Sequence, residues 1–344
     1  MPAAPAPSHP IRLHGLPPAG HSQLDEAKSA PSVFHAGELE MQRRAGALER
    51  LAEIGPRVIR DHMPQQHRDF FAKLCFVVLG ASDAEGQPWV TAIAGSEGFI
   101  QSPDDRRLRV TAARDPGDPV LRVLHPGSAL GLLGIEPQTR RRNRMNGRIT
   151  AHGETGFEAK VDMSFGNCPK YIQARCPWPG DSAAAMAQPP ELLAGLDPAA
   201  HHLIERADTF FIATAHPAAR DPQASAADGA DVSHRGGKPG FVRVEGQALI
   251  VPDFVGNFYF NTLGNLLVEP RCGLLFIDFE RGDLLHLTAT GEVLQLADAG
   301  KSYAGAQRLL RLHITGGLRR RSALPLRWSP AQLSPNLAST GDWP

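Results

Sequence analysis

The chain has 344 residues, long enough for two domains, and 42% of them are hydrophobic, enough to give each domain a core. Its 36 basic and 36 acidic side chains cancel, so net charge offers no attraction for nucleic acid or an anionic membrane surface. Cys75, Cys168, Cys176 and Cys272 form no CxxC, which argues against a disulfide framework or a zinc site, and no apolar run approaches the roughly 18 residues of a membrane span. The opening Met1–Ser8 lacks the basic and apolar regions of a signal peptide, so a soluble, cytoplasmic protein is expected.

Residues 1–33 are rich in Pro, Ala, Gly and Ser without periodicity and read as a disordered arm. From Glu38 to Ile54, Leu39, Ala45, Leu48, Leu51 and Ala52 recur near the 3.6 period, which predicts a helix. After Pro64 a second short helix is expected over Gln66–Leu74. The pattern then changes to short β-prone runs: Cys75–Leu79, Trp89–Ile93, Leu108–Thr111, Ala129–Ile135, Arg148–His152 and Gly156–Val161. Turn clusters such as Asp83–Pro88 and Ser102–Asp105 separate them. The Pro- and Ala-rich stretch 177–190 reads as a linker, and Glu191–Arg206 as a helix. Strand runs return at Phe210–Thr214, Phe241–Val244, Ala248–Val251, Gly273–Ile277 and Leu284–Thr288. The expected division is an arm (1–33), a first domain (34–176), the linker (177–190), a second domain (191–330) and a tail (331–344).

The two halves look alike. Gly131-Leu-Leu-Gly-Ile-Glu136 matches Gly273-Leu-Leu-Phe-Ile-Asp278, and Phe76–Ala81 occupies the place of Phe210–Ala215. A repeat of this length predicts two copies of one antiparallel barrel, an arrangement that leaves few exposed strand edges. Chance likeness between apolar strands is the alternative.

The most informative stretch is Asp231-Val-Ser-His-Arg-Gly-Gly-Lys-Pro-Gly240, read as a polar loop carrying His234, Arg235 and Lys238. A second polar loop starts at Pro252-Asp253, continues through Asn257, and ends in Phe260-Asn-Thr-Leu-Gly-Asn265. Two such loops on neighbouring strands can surround a phosphate with N–H groups, hydroxyls and cations. Arg140–Arg144 and Arg319–Arg321 read as solvated charge runs, with an anionic substrate or partner as the alternative. Cys168 reads as a small buried apolar residue, and Tyr171 and Trp178 as core or as cofactor wall.

Taken together, Asp231–Val242, Pro252-Asp253, Gly256-Asn257, Asn261–Asn265 and Glu269–Asp278 resemble the pyridoxamine 5′-phosphate oxidase-like family of FMN-binding split barrels, in its Asp-Val-Ser-x-Arg-Gly subgroup. The resemblance implies an α+β, mainly β chain of tandem Greek-key split barrels forming an intramolecular pseudo-dimer with flanking helices, and FMN in the groove between the barrels. Ser164–Arg175 resembles the element that reaches the partner barrel's flavin. Implied for the FMN phosphate are Ser233, Arg235, Lys238 and Thr262. Implied around the ring are Asn257, Asn261 and Lys170, with His234, Gly236, Asp253 and Arg175 completing the set. A mirror-image site is expected to be degenerate, because Ala94–Gly98 with its Glu97 is aligned with the cationic loop. Relatives carry an arginine where Phe254, Phe258 and Tyr259 stand here.

The function implied is an FMN-dependent oxidoreductase acting on a small-molecule substrate or with a redox partner protein, without nucleic acid or membrane. Pairing of chains into a homodimer is open. Two other readings stay open: a non-catalytic flavin or haem binder, with His234 and His286 as the iron-ligand candidates, and a pseudo-dimer whose cofactor site has decayed.

Overall fold

Strands whose two faces are both apolar organise this molecule. In the computed structural model residues 32–180, 188–296 and 303–343 are described, so most of the expected arm and residues 181–187 of the expected linker lie outside them. Three helices open the described chain: α1 (Ala36–Arg44), α2 (Leu48–Val58) and α3 (Gln65–Ala72). The single helix expected over Glu38–Ile54 is two, because Gly46 takes the left-handed conformation (φ 63°) and breaks it.

The first sheet follows, from β1 (Phe76–Ser82), β2 (Pro88–Ala94), β3 (Ile100–Asp104), β4 (Arg107–Thr111), β5 (Ala129–Glu136), β6 (Arg141–Gly153) and β7 (Gly156–Gly166). The expected Ser102–Asp105 turn is mostly strand, the reversal falling at Asp105 and Arg106. Two short strands, β8 (Pro177–Pro179) and β9 (Glu191–Leu193), precede α4 (Pro198–Arg206). The helix expected from Glu191 starts later because Asp197 caps it, accepting from the Ala200 N–H at 2.7 Å, with Pro198 at its first position. Pro177–Pro179, at the start of the expected linker, is strand paired with a C-terminal strand.

The second sheet comprises β10 (Thr209–Ala215), β11 (Ala230–Gly236), β12 (Arg243–Glu245), β13 (Ala248–Phe254), then, after α5 (Asn261–Val268), β14 (Arg271–Ile277), β15 (Leu284–Gln295) and β16 (Ala306–Arg320). The last strand, β17 (Leu326–Trp328), is the partner of β8. Two expectations fail here. Residues 230–236, read as loop, are a buried strand paired with β10, and Asn261–Asn265, read as loop, begins α5. Both are polar segments that tertiary packing, not local propensity, holds in regular structure.

Among the described residues the chain is mainly β, with antiparallel pairing throughout. The sheets run β2-β1-β5-β6-β7-β4-β3 and β11-β10-β14-β15-β16-β13-β12, one order repeated strand for strand. From Ser32 onward they form one compact unit. Along β1, Val77, Leu79 and Ala81 enter the core of the first sheet, whereas Phe76 and Val78 enter a shared core with the second. Along β10, Phe210 and Ile212 face the second sheet's own core, and Phe211 and Ala213 face the shared one. This period-2 division explains why these strands read as unbroken apolar runs. The sheets meet backbone to backbone at two equivalent places. A Cβ at Gly131 would stand 2.8 Å from the Asp231 carbonyl carbon, and one at Gly273 2.6 Å from the Pro88 oxygen.

Candidate functional site

A cavity of about 120 Å³ opens where the end of the first sheet meets β11, β13 and α5. Its wall carries four cationic side chains, Arg142, Arg144, Lys170 and Arg235, against one carboxylate, Asp253. Such an excess of positive charge in a partly enclosed space favours an anion.

Arg144 stands on β6 and is 4% exposed. One Nη donates to Asn261 Oδ1 at 2.6 Å and lies 3.2 Å from Asp231; the other donates to Ser233 Oγ at 2.8 Å. Thr262 also donates to Ser233 Oγ, at 2.7 Å, and Ser233 in turn donates to Asp231 at 3.2 Å. The Arg144 Nε is buried and has no partner. Arg235, on β11, pairs with Asp253 through one Nη, and its Nε is likewise buried and unpartnered. Asp253 lies 3.4 Å from Arg308 as well. Arg144 and Arg235 thus line one cavity and each keep a buried N–H donor without an acceptor, and the cations of the wall suit a ligand that accepts hydrogen bonds.

Among the described residues the Arg142 side chain donates only to the carbonyls of Cys168, at 3.0 Å, and His234, at 3.3 Å. Burial, then the neighbouring Arg144, pulls it down to about 9, so it remains charged at neutral pH. Lys170 makes no hydrogen bond or ion pair among the described residues. The first residues of α5 also line the cavity, and no side chain caps that helix. Its positive end therefore adds to the attraction for an anion. Tyr171, Phe254, Phe258 and Phe260, with Phe241, Pro252 and Leu263, form the apolar part of the wall.

Nine of the expected residues converge here: Lys170, Ser233, His234, Arg235, Gly236, Asp253, Asn257, Asn261 and Thr262. Their tasks differ from the expected ones in several cases. Asn257 accepts from the Tyr259 N–H at 3.1 Å and so shapes its own loop. Gly236 is needed for close approach, since a Cβ there would stand 2.0 Å from the Tyr171 oxygen. The His234 ring is buried edge-on against Phe211, and burial, then Arg142, holds it well below its usual value, keeping it neutral.

Two expected residues lie elsewhere. Lys238 donates to the Thr340 carbonyl at 2.9 Å, because the C-terminal segment folds over its turn. Arg175 is consumed by Asp208, at 2.8 and 3.0 Å, and lies 3.9 Å over the Phe279 ring. Trp178 is 48% exposed and belongs to neither core nor cavity, whereas Cys168 and Tyr171 line the wall. The arginine runs are corrected too. Arg142 and Arg144 are site residues on β6, and Arg319 is buried between Glu191 and Asp197. A basic run read as solvated gave no sign of Arg144, because only pairing across sheets brings it to Ser233.

Register also corrects the comparison of the two halves. Gly80 pairs with Gly131 and Val90, and Ala213 pairs with Gly273 and Val232. Thr91 is therefore the counterpart of Ser233 and Ile93 that of Arg235, while Ala94–Gly98 matches Gly236–Gly240 and Glu97 matches Pro239. Across the next strand pair His286 is the counterpart of Arg144. At that mirror-image place Thr91 donates to Asp118 at 2.5 Å, and Arg320 of the second sheet pairs with Asp115 and Asp118. His286, fully buried, shares a hydrogen bond of 2.8 Å with the Val90 carbonyl.

No protein-family model matches the chain, and no curated protein sequence matches it. Among solved structures it is similar to HupZ of group A Streptococcus (12% identity, 34% of this chain and 93% of that one, TM-score 0.25). It is also similar to a pyridoxamine 5′-phosphate oxidase-like protein of Lactobacillus delbrueckii (15%, 30% and 92%, TM-score 0.24). A third is HutZ, the haem storage protein of Vibrio cholerae (14%, 37% and 95%, TM-score 0.24). At such identity and overlap the likeness speaks neither for nor against a function. Among the described residues no helix is long and apolar enough to cross a membrane.

Proposed function

We propose that this chain is an FMN-binding oxidoreductase built from tandem split barrels (34–176 and 191–330) that pair within one molecule, with one flavin site between them. The observation that carries the reading is a cavity lined by four cationic side chains and one carboxylate, two of whose arginines, Arg144 and Arg235, keep a buried Nε without a partner. This donor set fits a phosphate. Arg144 and Arg235 would bind it, Arg142 and Lys170 would add charge, and α5 would add its positive end. The enclosed volume of about 120 Å³ suits a phosphate but is well under the roughly 300 Å³ of a whole small-molecule site, so a flavin ring has to extend past it. Tyr171, Phe254, Phe258 and Phe260 supply the apolar surface such a ring requires.

When bound, FMN supplies hydride or electron transfer with a small-molecule substrate or redox protein. The protein's own share is binding and electrostatics. Buried cations beside the cofactor favour its anionic reduced form, and the aromatic residues keep water from one side.

The test is titration of purified protein with FMN, followed by absorption and by quenching of flavin fluorescence. Arg235→Ala should weaken binding by about ten- to a hundredfold, the value of a charge-assisted hydrogen bond of about 1.5–3 kcal/mol. Fluorescence left unchanged by wild-type protein overturns the proposal, and a Soret band on the purified chain would replace flavin by haem.

A further inference from the structure

We infer that Glu38, on α1, is a positioning residue for the anion in the cavity, acting through Asn261 on Arg144. The inference rests on reading the cavity as a phosphate site and identifies what aims its central arginine.

Glu38 is 3% exposed and lies 223 positions from Asn261 in sequence. Its Oε1 accepts from Asn261 Nδ2 at 2.5 Å, and the same amide's Oδ1 accepts from Arg144 at 2.6 Å. The amide is thus held at both ends. With the other Nη committed to Ser233, the place of the Arg144 guanidinium beside the cavity is set by those anchors. Glu38 is fixed in turn. Its Oε2 accepts from the His35 N–H at 2.9 Å in a capping box, and α1 touches α5 backbone to backbone at Gly37 and Gly264. A helix preceding the first sheet therefore completes a site on the second.

The arrangement has an electrostatic consequence. The groups around Glu38 are His35, with Nε2 3.7 Å away, Asn261, Asp231 and Arg144; behind His35 stand His216 and Asp228. Burial, helped by Asp231, pushes the Glu38 carboxyl up to about 8 against the bonds from His35 and Asn261 and the charge of Arg144. At pH 7 Arg144 thus faces a neutral acid and keeps its charge for a ligand. Above pH 8 a buried carboxylate competes for Arg144 and repels the anion. By linkage, anion binding retains the Glu38 proton, and affinity falls as pH rises through this range.

The experiment measures FMN and phenyl phosphate affinity at pH 7 and pH 9 for wild type, Glu38→Gln and Glu38→Ala, with melting temperatures in parallel. Both ligands carry fully ionised phosphates over most of this window, whose second ionisation lies near pH 6. Arg142, which burial lowers to about 9, is present in all three proteins, so its effect cancels in the comparison. Wild type should lose affinity several-fold more than Glu38→Gln between the two pH values. Glu38→Ala should bind about tenfold more weakly at pH 7, as expected for losing one aligning hydrogen bond of about 1.4 kcal/mol. Equal pH slopes in wild type and Glu38→Gln overturn the inference. So does a Glu38→Ala protein that melts lower yet binds normally, the behaviour of a mere staple. If Glu38→Ala does not fold, the Glu38→Gln slope decides alone. Binding of phenyl phosphate without FMN removes the flavin reading and leaves Glu38 testable; binding of neither ligand overturns both.

Discussion

Arg144 and Arg175 show how two buried arginines in one chain come to different uses. Both are more than nine-tenths buried. Arg175 turns one Nη to Asp208 and lies over the Phe279 face, away from the cavity, whereas Arg144 lines it; each keeps a buried Nε without a partner. Arg175→Ala should therefore cost roughly 3–5 kcal/mol of stability by leaving Asp208 buried without its partner. Its folded fraction should bind FMN as wild type does, read by denaturant unfolding and ligand titration. Lys238→Ala should likewise leave FMN affinity unchanged, since that ammonium serves the C-terminal segment. At this scale Ser233, Arg235, Asn261 and Thr262 were legible, because hydroxyls, amides and a cation cluster in short motifs. Arg142 and Arg144 were not. Their run looks like any exposed charged strand, and the partners of Arg144 at Ser233 and Asn261 lie 89 and 117 positions away.

The elements were legible where hydrophobic period decided them. The strands β1, β5, β10 and β14 are apolar on both faces and showed as such. The polar β11 and the uncapped α5 were misread, because their apolar contacts come from other elements and their Asn and Gly residues favour loops. The contact between sheets makes a prediction here. Gly131→Val places a side chain against the Asp231 backbone, where no flexible group can yield. It should destabilise by about 1–3 kcal/mol or more, as overpacking does. It should also weaken FMN binding, since β11 carries both Ser233 and Arg235. Thermal melts and flavin titration would check both; an unshifted melting temperature would show that the sheets slide apart at little cost.

For the whole molecule, buried titratable groups predict a shallow stability optimum near pH 6.5. Burial lowers His35 and His286 from 6.5 to about 4, with His216 adding to the first and Arg320 to the second. The stability tied to them is complete above 6.5 and is lost as pH falls toward 4, because the unfolded chain gains protons first. Burial raises Glu38 from 4.5 to about 8, so its contribution is complete below 4.5 and is lost as pH rises toward 8. Between 4.5 and 6.5 these histidines, with the buried His234 lowered in the same direction, outweigh one carboxyl; above 6.5 only the carboxyl of these groups acts. The slopes follow at roughly 1.4 kcal/mol per proton per pH unit. Melting temperature against pH should rise to about 6.5 and then fall gently, and Glu38→Gln should flatten the alkaline side.

The sequence by itself determined the mainly β class, the repeated strand pattern and the region of the site, because two-residue periodicity and clustered polar motifs are local. Only the tertiary structure decided which cations reach the cavity. Arg144 enters through contact between sheets and Glu38 through contact between helices, and Lys238 and Arg175 are drawn off by partners of their own. Such assignments depend on distances between residues far apart in the chain, and no local pattern encodes those distances.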